Sequence, residues 1–101
     1  MTDVITSPYC VALIDAPSSL PSDARIAAES RYARELERSL GAPDKVAEAF
    51  RIVSNLEGIS IISAEDVAAV DAWQKAVAIA RDRALSVIGD VDEAYFEVRL
   101  T

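Results

Sequence analysis

Histidine is absent from this chain of 101 residues, and that one gap removes the commonest zinc ligand and the commonest general base together. Cysteine occurs once, at Cys10, so neither an internal disulfide nor a CxxC metal or redox motif can form. Glycine is nearly as scarce. Gly41, Gly58 and Gly89 stand far apart, and no GxGxxG or Walker loop exists to cradle a phosphate. The GxSxG elbow and the SxxK motif are missing as well. With no histidine to activate it, Cys10 is not expected to be a nucleophile and reads as a buried strand residue. No apolar run approaches the roughly 18–20 residues of a membrane span, and Met1-Thr2-Asp3 lacks the basic opening of a secretory signal. The expectation is a soluble cytoplasmic domain that is not an enzyme and has no cofactor and no metal.

Positive charge is also in short supply. Lys and Arg number 10 against 17 Asp and Glu, a net of −7, and the pI is near 4.4. A protein of that charge is not expected to bind nucleic acid. The remaining composition, 51% hydrophobic and 27% charged, is that of a globular domain. The length suits a single domain over residues 1–101.

Tyr9-Cys10-Val11-Ala12-Leu13-Ile14 is a continuous apolar run between Pro8 and Asp15. Because it does not alternate, it predicts a strand buried on both faces. The stretch from Asp15 to Ser22 inclusive holds two prolines and three serines and makes a loop. A helical pattern then runs over 22–40, with Ser22 as N-cap and Gly41 just past the end. Pro43 opens a second helix over 43–57, whose Val46, Ala49, Phe50, Val53 and Leu56 fall on one face and which Gly58 stops. Ile59-Ser60-Ile61-Ile62 fits either a short third strand or a connector. Ser63 with Glu65 and Asp66 starts a third helix over 63–88, about 39 Å long at 1.5 Å per residue. Tyr95 to Leu100 alternates strictly, with Phe96, Val98 and Leu100 inward. An isolated strand leaves its backbone groups unsatisfied, so the terminal strands 9–14 and 95–100 should pair. The predicted class is α+β, three helices packed on a small sheet.

Polar residues on apolar faces supply the first candidate site. Glu29 falls within the stripe Ile26, Ala33, Leu36 and Leu40. Gln74 and Arg81 lie at the inner edge of Val70, Trp73, Val77, Ala80, Ala84, Val87 and Ile88. An unpaired buried charge costs several kcal/mol, so these groups must be paired or reach water. Either Glu29, Gln74 and Arg81 line an internal ligand pocket, with Arg81 gripping an anion, or Glu29 pairs with Arg81 or Arg25 as an internal tie. The tie is favoured, and Trp73 reads as core. Arg31, Arg34 and Arg38 share one arc, but Glu35 and Glu37 stand at ion-pair spacing, so a solvated face is expected there.

Asp90, Asp92, Glu93 and Glu97 against Arg99 give the last twelve residues a net of −3, and Asp3 and Asp15 add to the acidity of the chain ends. Asp90-Val91-Asp92-Glu93 opens like a calcium loop but fails at Ala94 and has no following glycine. As an acidic surface it would attract a basic protein. Ala68, Ala72, Ala76 and Ile79 lie outside the long helix's stripe, which suggests a homodimer through residues 68–88 or through a sheet edge. Two functions are therefore expected in competition. The first is a protein–protein interaction module whose Asp90, Asp92, Glu93 and Glu97 bind a basic partner, an immunity- or antitoxin-like inhibitor being the concrete version. The second is a small-molecule-binding protein or minor enzyme built on Glu29, Gln74 and Arg81.

Overall fold

The computed structural model describes residues 9–17, 20–56, 63–89 and 94–100. Its elements follow in the order β1 (Tyr9–Ile14), α1 (Ser22–Leu40), α2 (Pro43–Asn55), α3 (Ala64–Ile88) and β2 (Tyr95–Leu100), an α+β arrangement. The two strands pair antiparallel over their full length, with Tyr9 opposite Leu100 and Ile14 opposite Tyr95. The candidate strand at 59–62 and the acidic run at 90–93 lie outside the described residues.

Local chemistry accounts for most of the element ends. Ser63 caps α3, its Oγ accepting the Asp66 N–H at 3.2 Å, and Glu65 and Asp66 sit in the first turn where the helix dipole favours them. Pro43 occupies the start of α2, where its missing N–H costs nothing. Gly41, at φ +108°, donates its N–H to the Glu37 carbonyl at 2.7 Å and closes α1. The positive φ there is one that a side chain would resist. The start of α1 departs from expectation. Ser22 is its first helical residue, Pro21 is the cap, and no side chain accepts a bond there.

The largest contact in the fold joins α1 to α3. Ala28, Tyr32 and Leu36 of α1 and Ala76, Ala80 and Ala84 of α3 are all buried in one cluster. Alanines lower the separation at which two helices can pack, so the buried line of α3 follows 76, 80 and 84. Ala76, expected outside the stripe, is therefore inside it, while Val87 on the expected stripe is exposed. Ile26 on the expected stripe of α1 is likewise 60% exposed. The molecule measures 43 × 33 × 19 Å. Leu36 and Val46 are the largest side chains entirely removed from solvent.

Among the described residues only one face of the sheet is covered, which corrects the expectation for β1. Tyr9, Val11, Leu13, Phe96 and Val98 turn towards the helices. Cys10 is exposed on the opposite face, in register with Arg99. Among the described residues the sheet has one helical layer to lean on, so Cys10 is exposed although the run Tyr9–Ile14 does not alternate.

Candidate functional site

The two strands are held by different chemistry. The Tyr9 hydroxyl donates to Glu37 Oε2 at 2.8 Å and stands 3.0 Å from the Ala33 carbonyl oxygen. Burial and the neighbouring Glu37 carboxylate both oppose loss of its proton and push the Tyr9 phenol well above its ordinary range. Four residues along, the Leu13 N–H donates to Glu29 Oε1 at 3.0 Å. Side chains of α1 thus take up polar groups of β1 at two points.

The Glu29 bond also fixes the polarity of the whole ladder. Leu13 sends its N–H away from β2, so Leu13 and Phe96 form a non-hydrogen-bonded pair. Antiparallel pairs alternate, and Val11–Val98 and Tyr9–Leu100 share that parity. The N–H and C=O groups of Phe96, Val98 and Leu100 accordingly point out of the edge of β2 remote from β1. Among the described residues β2 pairs with β1 alone.

Along that edge runs an open cleft of about 310 Å³, lined by Tyr32, Phe50, Trp73, Val77, Tyr95, Phe96, Glu97 and Val98. Four consecutive residues of β2 border it. Alternate side chains of a strand point to opposite faces, and a cleft that follows the strand's outer edge accounts for all four. Two aromatic pairs form its walls. Tyr32 and Phe96 stack with ring centroids 4.6 Å apart and planes inclined by 12°, and Phe50 and Trp73 meet tilted at 5.6 Å. Tyr95 stands at the rim, 56% exposed. The Tyr32 phenol is raised to about 12, chiefly by burial and secondarily by Tyr95, with Arg81 pulling the other way.

The residues expected to form an internal pocket are not gathered into one. Gln74 and Arg81 are exposed, because each lies roughly 100–120° around α3 from the line 76, 80 and 84 at 100° per residue. Glu29 is half-buried and holds the Leu13 amide; Arg25 instead donates through Nη2 to the Pro17 carbonyl at 3.3 Å. Of the expected pairs on the arginine arc, Arg31–Glu35 forms at 3.1 Å around a Glu35 that is 5% exposed, while Glu37 is taken by Tyr9. Arg34 and Arg38 are exposed. Trp73 is half-buried, packing on the core on one side and lining the cleft on the other.

Of the acidic surface residues, Glu97 borders the cleft and pairs with Arg99 at 3.0 Å on the same face of β2. Asp90, Asp92 and Glu93 fall in the segment that is not described. Sequence patterning passed over the cleft because its walls, Phe50 and Trp73, read individually as ordinary apolar positions on two helices. The strict alternation of Tyr95 to Leu100 marks a strand with one wet face and carries no signal about its edges.

Among the described residues no group of three or more Cys, Asp or Glu is placed to hold a metal ion, and no helix is long and apolar enough to cross a membrane. Compared with protein-family models, with curated proteins and with solved structures, the chain finds no match.

Proposed function

We propose that the protein is a protein-interaction module that receives an extended segment of a basic partner along the outer edge of β2. The carrying observation is the cleft that follows this edge past Tyr95, Phe96, Glu97 and Val98. An added strand would find the outward N–H and C=O groups of Phe96, Val98 and Leu100 to pair with. Its inward side chains would enter the space between Phe50, Trp73 and Phe96. Strand addition of this kind draws affinity from the main chain and specificity from pockets for alternate side chains. The net charge of −7 favours a basic segment and speeds its capture. An immunity- or antitoxin-like inhibitor of a basic enzyme is one protein that would use such an edge.

Trp73 is the chain's one tryptophan and lies in the cleft, which makes its emission a direct probe. A short synthetic peptide alternating lysine and leucine should shift Trp73 emission to the blue, and added salt should weaken the effect. The same peptide with glutamate for lysine should bind less well. If neither peptide moves the emission, β2 is not the docking edge. The cleft volume also sits near the lower end of small-molecule pockets, roughly 300–1,000 Å³, so a small planar apolar compound is the second reading. A shift with naphthalene-sized probes and none with either peptide would favour it.

A further inference from the structure

We infer that, until a partner arrives, the outer edge of β2 is occupied by β2 of a second copy, antiparallel and centred on Val98. This rests on the proposal that the edge accepts a strand, and it names which strand.

Three observations converge on that register. The helices cover one face of the sheet, so a second copy must present its own apolar face on the same side. That requires even-numbered residues opposite even-numbered ones. The ladder parity set by Leu13 and Glu29 imposes the same condition from the backbone, since Phe96, Val98 and Leu100 carry the outward N–H and C=O groups. Among the registers that satisfy both and keep most of the six-residue strand paired, charge decides. Centring the pair on Glu97 sets two carboxylates face to face, and centring it on Arg99 sets two guanidiniums face to face. A centre on Val98 puts Glu97 opposite the second copy's Arg99 twice over and Phe96 opposite its Leu100 twice over. Opposite charges stabilise and like charges destabilise directly across a strand pair. An interface in which one residue meets another, and the reverse, is the signature of a twofold axis.

The register also accounts for an exposed apolar side chain on β2. Leu100, inward-facing by parity yet 39% exposed, would lie beside Phe96 of the second copy at the mouth of the cleft. The result is a four-stranded sheet in the order β1-β2-β2-β1, with all helices on one face and no open edge at its middle. Each copy carries a net charge of −7, and that repulsion keeps the pair weak enough to yield to a basic competitor.

The test combines sedimentation equilibrium over a wide range of concentration with Trp73 emission and charge exchange. The native chain should pass from dimer to monomer on dilution, with Trp73 emission moving to the red over the same range. Glu97→Arg and Arg99→Glu should each weaken the dimer about tenfold, with circular dichroism unchanged. The double variant Glu97→Arg/Arg99→Glu restores opposite charges and should recover affinity to within about threefold. A dimer indifferent to both single exchanges uses another surface, such as the exposed Val67, Ile79 and Val87 of α3, and overturns the inference. So does a chain that stays monomeric throughout, including one in which its own residues 59–62 fill the edge. A monomer whose Trp73 still responds to the lysine–leucine peptide keeps the strand-addition proposal and loses only the second copy. A monomer that responds to neither peptide loses both.

Discussion

β1 and β2 have six residues each, pair along their whole length and bury side chains in the same core, yet they are fastened differently. β1 is tied to α1 by polar side chains at both ends, through Tyr9 to Glu37 and through Leu13 to Glu29. β2 meets the helices through apolar contact alone among the described residues, and a cleft of about 310 Å³ remains beside it. Directional bonds locate a strand to a few tenths of an ångström and leave no slack, whereas dispersion tolerates a gap at the cost of unfilled contacts. At one edge of the sheet the protein's own carboxylate takes up the Leu13 N–H, and beside the other the cleft is left for something else to fill.

The strongest way to break this contrast is to remove one ring from each strand. Tyr9→Ala deletes a buried ring together with its bond to Glu37 and should cost about 3–5 kcal/mol in chemical denaturation. Tyr95→Ala, at the exposed rim of the cleft, should stay within about 0.5 kcal/mol. Equal losses would mean that the two strands are held alike.

Alkaline titration sharpens the comparison, since one phenol serves each side. Tyr32, beneath β2, is raised to about 12 from an ordinary 10, so unfolding releases its proton between those values. Stability must then fall as pH rises from 10 towards 12, by about 2 kcal/mol from Tyr32 alone, and it is fully present below pH 10. Tyr9 acts in the same direction. Tyr32→Phe and Tyr9→Phe should each flatten the slope of melting temperature against pH over that window, and a slope unchanged in both would remove the phenols from the account.

Volume added to the tight and open regions should separate them next. Ala80→Leu, in the closely packed line between α1 and α3, should cost about 1–3 kcal/mol, whereas Val77→Leu, facing the cleft, should cost less than about 1 kcal/mol. Thermal melts of the two variants provide the comparison. Glu29→Ala removes one half-buried hydrogen bond to a charged acceptor and should cost about 1.5 kcal/mol. Glu29→Gln retains an acceptor oxygen and should recover most of it. A loss equal in both variants would show that the carboxylate acts by charge and not by accepting from Leu13.

The arrangement of elements was legible in the chain because each carries its own local signal. Pro43, Gly41 and Ser63 mark boundaries by backbone chemistry, and the alternation of Tyr95 to Leu100 marks a strand with one wet face. Glu29 was legible as a group in need of a partner, but not which one. Side-chain patterns reveal candidate side chains such as Arg81 and Arg25, and the true partner is the main-chain N–H of Leu13, which every sequence supplies everywhere. Gln74 and Arg81 were misplaced for a related reason. Hydrophobicity weights Val77 and Val87 above alanine, while close packing favours Ala76, Ala80 and Ala84, and the buried line of α3 turned accordingly. The cleft depends on where Phe50 of one helix stands relative to Trp73 of another, a tertiary quantity with no local trace.

The 19 Å thickness of the molecule has a thermodynamic consequence. A slab this thin hides little hydrocarbon per residue, and the increase in heat capacity on unfolding follows the hydrocarbon newly wetted. That increment should lie at or below the lower end of the usual ~12–15 cal/mol/K per residue, so the curve of free energy against temperature is shallow. Urea, whose leverage scales with the same newly wetted surface, should unfold the chain over a broad rather than an abrupt interval.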